Sequence, residues 1–239
     1  MNMKKIALCL PVFNEGARVE QTVNILINFL KNNIIFTNWV IILVDDGSSD
    51  ESPNLLSKIS IEFPSIVNTI THSSNLGYGA ANYSAVTWCL NNSIEYCVYM
   101  DADQTQDPIF LLNVSDLIDK GYDVIKASRY IDGARVEGVP FFRCLVSKVG
   151  NLIAKAFLDP PLTDFTNGFR AIKVNNMSSF KPKDKGFSYI LEEVAFLSSN
   201  QFLRWAEFPY VLTNRPSKGK QSAFDYRFQT YVNYLKHLG

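Results

Sequence analysis

The feature that most constrains this fold is a regular alternation of short apolar runs with segments of helical periodicity. Apolar runs of strand length cover residues 6–10, 39–44, 66–71 and 96–100. Between them, apolar side chains recur at helical spacing over residues 19–30, 53–61 and 79–90. This alternation is typical of βαβ units. We therefore expect an α/β fold in which helices flank a mixed, mostly parallel central sheet.

The second half of the chain is less regular but is not separated from the first. Residues 122–127 predict another strand, and a loop rich in glycine and charge follows at 128–138. A helical pattern over 143–158 is ended by Pro160 and Pro161, because proline cannot continue a helix. No linker, low-complexity stretch or repeat divides the sequence. We expect one domain of 239 residues.

Composition excludes several classes of function. Lysine plus arginine equals aspartate plus glutamate at 23 each, so no overall field favours nucleic acid or an anionic membrane. The apolar run before Pro11 is too short for a signal peptide, and no stretch is long enough to span a membrane. These features indicate a soluble cytoplasmic protein, peripheral to a membrane at most.

The chain has four cysteines, Cys9, Cys89, Cys97 and Cys144. Their spacing is not that of a metal site, so zinc is not expected. Cys9 and Cys97 lie in apolar runs of strand type. They are interpreted as reduced thiols in the core of a cytosolic protein.

Polar residues follow three of the predicted strands. The first strand leads to Asn14 and Glu15, the second to Asp45-Asp46-Gly47-Ser48, and the fourth to Asp101-Ala102-Asp103. Parallel strands end at one edge of a sheet, where open α/β folds bind ligands, so these acids should converge. Two carboxylates suit a divalent cation that carries a diphosphate. The alternative for each acid is a solvated turn after a strand.

At this point the residues resemble a known family. Four segments are similar to the ordered motifs of inverting family-two glycosyltransferases, whose fold is the Rossmann-like GT-A type: Leu10-Pro11-Val12-Phe13-Asn14-Glu15, Val44-Asp45-Asp46-Gly47-Ser48-Ser49-Asp50, Asn75-Leu76-Gly77-Tyr78-Gly79-Ala80-Ala81 and Met100-Asp101-Ala102-Asp103. Later segments resemble dolichyl-phosphate mannose synthases and bacterial polyprenyl-phosphate glycosyltransferases: Ser128-Arg129-Tyr130, Arg143 with Ser147, the run from Asp164 to Arg170, Glu192, and Glu207-Phe208-Pro209 leading to Arg215.

The resemblance implies a nucleotide-sugar site in the half at 1–127. Its expected residues are Pro11, Glu15, Asp45, Asp46 and Asp101. An aspartate of the second motif would accept a hydrogen bond from a base N–H or a ribose hydroxyl. The alternatives are that Asn14-Glu15 only starts a helix and that the second motif only caps one; capping and ligand binding are compatible.

Asp101 and Asp103 would bind Mg²⁺ or Mn²⁺, which would neutralise charge on the leaving nucleotide. In the polyprenyl-phosphate mannose synthases the residue two beyond the second acid is often Gln and joins the metal. Here it is Thr105, so the third protein ligand is open among Gln104, Thr105, Gln106 and water.

The acceptor site is expected in the half at 128–239. A lipid monophosphate is already anionic and needs only placement, and the forked guanidinium of arginine suits that task. Family positions implicated in phosphate handling are matched by Arg129, Arg143 and Arg215, and Ser147 lies one helical turn after Arg143. The alternative for each arginine is a surface salt bridge.

The expected catalytic residues are Asp103, Arg129 and Asp164. Asp164 would orient the transferred sugar, or act as base if the acceptor is a hydroxyl; the alternative is a turn role. For Glu192 two interpretations are open, support of the arginines or exposure to solvent beside Glu193, and Asp164 is preferred over it.

Two motif matches are set aside. Gly77 and Gly79 fail the dinucleotide fingerprint because the third position is Asn82, so turns at a helix start are expected instead of a nicotinamide site. Gln201 to Trp205 fits the QxxRW signature of processive synthases, but it runs directly into Glu207-Phe208-Pro209, which resembles a late edge strand.

The combined hypothesis is a metal-dependent hexosyltransferase acting on a GDP- or UDP-sugar and a polyprenyl phosphate. The aromatic and basic residues from Lys218 to Leu238 would form an interfacial segment at the cytoplasmic face of the membrane, with a small membrane partner as an option. The alternatives are transfer to a sugar hydroxyl in surface-polysaccharide assembly and a non-catalytic nucleotide-sugar-binding module.

Overall fold

The computed structural model describes residues 4–139 and 141–213, except for the side chains of Phe141, Phe142, Arg143 and Val146. Arg215, the interfacial segment predicted after Lys218 and the side chain of Arg143 therefore lie outside the described residues. Within these limits, every helix is too short or too polar to cross a bilayer.

Strands and helices alternate as the sequence predicts. The strands are β1 (Ile6–Val12), β2 (Trp39–Asp45), β3 (Val67–Thr71), β4 (Tyr96–Tyr99), β5 (Val124–Ser128), β6 (Arg135–Val136), β7 (Arg170–Lys173), β8 (Trp205–Pro209) and β9 (Val211–Leu212). The helices are α1 (Ala17–Lys31), α2 (Ser52–Glu62), α3 (Tyr78–Asn91), α4 (Leu111–Asp119), α5 (Phe141–Phe157) and α6 (Tyr189–Ser198). The sequence predicted none of α4, β6, β7 and β9, and β6 lies within the loop expected at 128–138.

Seven strands form one sheet in the order β3-β2-β1-β4-β7-β5-β8. Strand β7 runs antiparallel to β4 and β5, and the other pairings are parallel. The predicted mixed, mostly parallel sheet is confirmed, and β8 is the expected edge strand. The register places Val12 beside Asp45 and Cys9 beside Tyr99, so β1, β2 and β4 end near one another.

The central strands are buried on both faces. In β1, Ile6, Leu8 and Leu10 pack into one cluster, while Ala7 and Cys9 pack into a second cluster on the other face. Successive strand side chains point to opposite faces, so an uninterrupted apolar run implies cover on both sides. This burial fixes the strand ends, and with them the polar residues that follow.

Three of the cysteines meet in the core. The sulfur atoms of Cys9, Cys89 and Cys97 lie within 4.8 Å of one another, and the Cys9 and Cys97 sulfurs are 3.1 Å apart. All three are buried and free, and burial raises the pKa of the Cys9 thiol. The expected core position of Cys9 and Cys97 is confirmed, but their spacing gave no sign that Cys89 joins them.

Arg204 of the QxxRW match has a structural role. Its Nη1 donates to the carbonyls of Lys120 and Gly121, and its guanidinium lies 4.6 Å from the ring centre of Tyr122. The Arg204 side chain therefore anchors the start of β8 at the sheet edge.

Candidate functional site

The turn after β4 carries the two acids that the sequence places at the centre of the site. Asp101 is half-buried, and Asp103 is 6% exposed. The Asp101 backbone N–H donates to Gln106 Oε1 at 2.9 Å, and Gln106 Nε2 donates to Asp101 Oδ2 at 3.0 Å. Thr105 donates to Asp103 Oδ1 from its backbone nitrogen at 3.0 Å and from its hydroxyl at 2.6 Å. Neutral groups of the same turn therefore contact both carboxylates.

The residues considered as third metal ligand lie in the same turn. Gln104 adopts a left-handed backbone with φ of 64°, and its amide donates to Gln21 at 3.3 Å. The Thr105 carbonyl accepts from the Tyr210 hydroxyl at 2.9 Å, which fixes the turn to the segment after β8. A ligand role for Gln104 or Thr105 stays a prediction.

Gly168 brings a second loop against Asp101. A Cβ added at this glycine would lie 3.9 Å from both Asp101 carboxylate oxygens and 2.9 Å from the Tyr78 hydroxyl. A larger residue would therefore crowd the space beside Asp101. The structure brings the motif around Asp164 together with the acids after β4, although about sixty residues separate them in the sequence.

The residues after β1 and β2 are joined to each other. Asn14 Oδ1 accepts from the Ser49 backbone nitrogen at 2.8 Å, and the Asn14 nitrogen donates to Ser48 Oγ at 3.0 Å. Glu15 forms an ion pair with Arg18 at 2.8 Å. Pro11 is half-buried in β1 beside Val44. These predicted residues lie at the expected sheet edge; their contact with a nucleotide stays a prediction.

Asp45 and Asp46 are both buried but have different partners. Asp45 Oδ1 accepts from the Ser48 nitrogen at 2.9 Å. Asp46 accepts the backbone N–H groups of Leu76 and Gly77 at 2.9 and 2.8 Å, and its Oδ1 lies 2.7 Å from His72 Nδ1. Both Asp46 oxygens are thus engaged by the protein. The sequence did not single out His72.

Gly77 lies where the expected helix-start turn requires it. It has a φ of 102° and directly precedes α3. A Cβ at this position would lie 2.4 Å from the Lys185 carbonyl oxygen. Both the backbone angle and the close approach therefore favour glycine.

Arg129 and Asp164 form a bidentate buried ion pair. Arg129 Nε and Nη2 donate to the two Asp164 oxygens at 2.6 and 2.8 Å, and the Arg129 backbone nitrogen donates at 3.1 Å. The Asp164 side chain is 0% exposed and that of Arg129 is 15% exposed. Burial alone would raise the pKa of Asp164, but the Arg129 guanidinium holds it below its usual value.

A second set of contacts connects this pair to α5. The Tyr130 hydroxyl lies 2.8 Å from Ser147 Oγ, and the Arg129 guanidinium lies 5.3 Å from the Tyr130 ring centre. Asn151, one turn after Ser147, accepts from the backbone nitrogens of the Asp164 loop at Phe165 and Thr166 at 2.7 and 3.2 Å. Tyr130 thus connects Ser147 to the Arg129–Asp164 pair. The role of Ser147 as a donor to phosphate stays a prediction, and the sequence analysis did not single out Tyr130 or Asn151 as site residues.

Two further charged side chains bind the backbone of the same loop. Glu207 accepts the backbone N–H groups of Thr163 and Asp164 at 2.9 Å. Lys126 is fully buried, and its ammonium donates to the Asn167 carbonyl at 2.9 Å. Burial lowers the pKa of Lys126 from 10.5 to about 7.

Glu193, and not Glu192, supports an arginine. Arg170 is fully buried and pairs with Glu193 through Nε and Nη2. Glu192 instead accepts the backbone N–H groups of Lys183 and Asp184 at 2.7 and 2.9 Å. The interpretation of Glu192 as exposed to solvent was wrong, because the side chain is buried. Its support of the predicted arginines stays a prediction, since Arg215 and the side chain of Arg143 lie outside the described residues.

Sequence comparison finds related proteins. The sequence model of Glycosyl transferase family 2 matches residues 7–178. Polyprenol monophosphomannose synthase of Mycolicibacterium smegmatis is 29% identical over 178 residues, which are 73% of this chain and 67% of that protein. Dolichol-phosphate mannosyltransferase of Pyrococcus furiosus is 25% identical over 98% of this chain, which spans 62% of that protein. Undecaprenyl-phosphate mannosyltransferase of Micrococcus luteus is 25% identical over 73% of this chain and 72% of its own.

Solved structures share the fold. Glucosyl-3-phosphoglycerate synthase from Mycobacterium tuberculosis in complex with UDP has a TM-score of 0.69 and 17% identity, covering 98% of this chain and 80% of its own. The same enzyme in complex with Mg²⁺ and UDP has a TM-score of 0.67 and 16% identity, covering 98% and 79%. This similarity confirms the predicted fold class.

Proposed function

The chain belongs to glycosyl transferase family 2, and from this membership we propose a metal-dependent, inverting transferase that moves a hexose from a nucleotide sugar to a polyprenyl phosphate. The observation that carries the acceptor assignment is the buried Arg129–Asp164 pair, which Tyr130 connects to Ser147. The three curated relatives are named for transfer of mannose, so mannose is the first sugar to test.

The pair favours an anionic acceptor over a hydroxyl acceptor. A sugar hydroxyl needs a base to remove its proton, whereas a phosphate monoester is already a nucleophile. Asp164 is fully buried, is held by Arg129 and has a lowered pKa, so it is a poor base. Arg129 Nη1 makes no hydrogen bond to any described residue, and it could donate to a phosphate oxygen. We infer that Asp164 positions Arg129, which contacts the acceptor phosphate together with Ser147.

On the donor side, Asp101 and Asp103 suit a hard divalent cation. The half-buried Asp101 carboxylate offers hard oxygen ligands of the kind that such a cation prefers, and Gly168 adds no side chain next to it. When bound, Mg²⁺ or Mn²⁺ would neutralise charge on the leaving diphosphate. The residues of the turn, above all Thr105 and Gln106, hold the two carboxylates in place.

We assign the direct nucleotide contact to Asp45 and an ordering role to Asp46. Both Asp46 oxygens already bind the protein, and they fix the chain that leads into α3. Asp45 Oδ2 accepts no hydrogen bond from a described residue. Asp45→Asn should therefore weaken nucleoside diphosphate binding about tenfold with little loss of stability. Asp46→Asn should lower both the affinity for nucleoside diphosphate and the free energy of unfolding. If the two variants change these quantities equally, the assignment of different roles to Asp45 and Asp46 is wrong.

The activity is tested by a release assay. Purified protein, Mn²⁺ and a polyprenyl phosphate are incubated with a panel of GDP- and UDP-sugars, and free nucleoside diphosphate and glycolipid are measured. Release should require the lipid and should stop when a chelator removes the metal. Release at the same rate without lipid would overturn the acceptor assignment. Release that survives complete metal removal would overturn the metal assignment.

Transfer to a polyprenyl phosphate would take place at a bilayer. We therefore propose that the protein works as a peripheral protein at the cytoplasmic face, where nucleotide sugars are available. The relatives' names refer to polyprenol, dolichol and undecaprenyl phosphates, which supports a lipid acceptor without fixing its chain length.

A further inference from the structure

Three cysteines from different elements bring their sulfur atoms together in the core. Cys9 lies on β1, Cys97 on β4 and Cys89 on α3, and their sulfur atoms are within 4.8 Å of one another. All three are free and at most 1% exposed. We refer to these three residues as the cysteine trio. Sulfur ligands select soft, thiophilic ions. The proposed transfer reaction uses none of these residues, which leaves the trio open to a separate role.

The strand register rules out a disulfide between Cys9 and Cys97. Cys97 lies beside Ala7 and Cys9 lies beside Tyr99, so the two cysteines are diagonal neighbours, offset by two residues. With strands about 4.8 Å apart and a rise of about 3.3 Å per residue, their Cα atoms are roughly 8 Å apart. A disulfide needs Cα atoms no more than about 7 Å apart. The two sulfur atoms can therefore share a bridging atom more readily than they can bond to each other.

The spacing of the trio fits one central atom with three sulfur ligands. Sulfur atoms that are each about 2.3 Å from a common atom lie roughly 3.5–4 Å from one another. The sulfur–sulfur distances in the trio, from 3.1 Å between Cys9 and Cys97 up to a limit of 4.8 Å, enclose this range. Small rotations of the side chains should therefore close the trio on such an atom.

Three ligands are too few for a structural zinc site, which has four. The polar group that follows on the same face of β4 is the Tyr99 hydroxyl, which is buried and has no hydrogen-bond partner among the described residues. Burial raises the pKa of this hydroxyl, so it stays a neutral phenol and a poor ligand. In the part of the chain that the structure describes, no histidine, carboxylate or further cysteine joins the trio. The site therefore favours an element whose coordination is complete with three sulfurs.

The surroundings of the trio favour a neutral product. Its neighbours in the core are apolar side chains, among them Ile42 and Val86. Arg170, which lies beside Tyr99 on the adjacent strand, is already paired with Glu193. A buried charge without a partner is strongly destabilising. Cu⁺ bound by three thiolates would carry two net negative charges, whereas a trivalent metalloid bound by three thiolates is neutral.

We propose that the cysteine trio is a binding site for a trivalent metalloid, such as arsenic(III), held by three sulfur atoms. Arsenous acid, As(OH)₃, is small and neutral, so it can reach the buried trio through local opening of the fold. Its three As–O bonds break and three As–S bonds form, while each thiol proton leaves with a hydroxide as water. No atom is oxidised or reduced. This binding does not require the proposed transferase activity.

Native mass spectrometry of the full chain tests both the binding and the number of ligands. The protein, kept reduced with a phosphine, is incubated with arsenite and then desalted. Wild type should gain one arsenic atom and lose three hydrogen atoms, and arsenic X-ray absorption should show three sulfur neighbours. An adduct that keeps a hydroxyl on arsenic would mean that only two sulfurs bind. That result, or the absence of an adduct, would overturn the proposal.

Cysteine variants locate the arsenic within the chain. Cys9→Ala, Cys89→Ala and Cys97→Ala each remove one of the three sulfurs and should lose the adduct on desalting. The control Cys144→Ala changes the fourth cysteine, which lies on α5 and is half-buried, and should retain arsenic like wild type. Wild-type retention in any trio variant, or loss in the control, would contradict the assignment. Circular dichroism checks that each variant is folded, and the wild-type mass and X-ray spectrum need no variant.

Other ions test whether the neutral product matters. At the same concentration, Zn²⁺ and Cu⁺ should give no retained adduct that depends on the trio, because either ion would bury net charge with three thiolates. Each ion is compared in wild type and in Cys97→Ala. Retention of Zn²⁺ or Cu⁺ by the trio in preference to arsenic would show that the site takes a charged centre, and the metalloid assignment would be wrong.

Urea denaturation tests whether the fold builds the site. A ligand that binds the folded chain more tightly than the unfolded chain raises the free energy of unfolding. Arsenite should therefore raise the urea midpoint of wild type and leave that of Cys97→Ala unchanged. An unchanged midpoint in wild type would show that the unfolded chain binds arsenic equally well, and a site built by the fold would be excluded. None of these measurements uses turnover, so failure of the proposed function would leave their outcome unaffected.

Discussion

The turn from Asp101 to Gln106 and the loop from Asp164 to Gly168 lie against each other, but they are held by different forces. The turn is held by neutral donors a few residues away, chiefly Thr105 and Gln106. The loop is held by Arg129, 35 residues distant, and by Lys126 and Glu207, which bind its backbone. The first arrangement brings two carboxylates together in one short turn; the second pairs a buried carboxylate with an arginine from another strand end.

The difference has energetic consequences. Neutral local hydrogen bonds are worth about 1 kcal/mol each and can be exchanged for similar ones. A buried ion pair is costly to break, because the remaining charge has no partner. Substitutions in the loop should therefore mainly lower the free energy of unfolding. Substitutions in the turn should mainly lower turnover.

The largest expected effect is on the loop. Asp164→Ala should lower the free energy of unfolding by about 3–5 kcal/mol, because Arg129 is left buried without its partner. Urea denaturation measures this loss. Asp119→Ala, at a side chain that is 77% exposed, is the matched control and should change it by less than about 0.5 kcal/mol. Equal effects in the two variants would remove the distinction between the loop and the turn.

Substitutions of the acids in the turn should lower turnover and leave stability nearly unchanged. Asp103→Asn and Asp101→Asn should each lower kcat about a hundredfold or more, since the charge that binds the cation is reduced. The amide oxygen can still accept from Thr105 or Gln106, so the free energy of unfolding should change by about 1 kcal/mol or less. Steady-state kinetics measures kcat, and urea denaturation measures the free energy of unfolding. A large loss of stability without a loss of turnover would reverse the assignment.

Lys126 should make the stability of the loop depend on pH. Its pKa is about 7 in the folded chain and 10.5 ordinarily, so between these values the unfolded chain binds an extra proton. Stability should therefore rise with pH in this window, by up to roughly 1.4 kcal/mol per pH unit from this group. Lys126→Met should remove that rise, measured as the difference from wild type in urea denaturation at several pH values. An unchanged pH dependence would show that Lys126 stays charged.

The smallest effect concerns the contact between the two regions. Gly168→Ala places a methyl group 2.9 Å from the Tyr78 hydroxyl, and a change of a few tenths of an ångström should lower turnover only several-fold. Tyr78→Phe removes the crowding oxygen. Adding Gly168→Ala to the Tyr78→Phe variant should therefore lower turnover less than adding it to wild type. Absence of recovery would show that the methyl group disturbs Asp101 itself.

Much of the fold could be predicted because local sequence patterns determine most of its strands and helices. The bounds of β1 and β2 and of α1 and α3 follow from apolar runs and helical spacing. Strand β7 escaped prediction because Arg170 and Lys173 enclose only two apolar residues. Its place between β4 and β5 depends on pairings with distant strands, which no local pattern reports.

Local sequence patterns were enough to predict the α/β architecture, the convergence of acids at one sheet edge and the residues of the family motifs, because these depend on periodicity and on where strands end. The pairing of the buried charges became visible in the folded chain alone. Asp164 is buried with Arg129, Glu193 pairs with Arg170, and Lys126 donates to the backbone of the loop at Asn167. A charged residue has one identity in the sequence but many possible partners, and burial among distant elements selects among them.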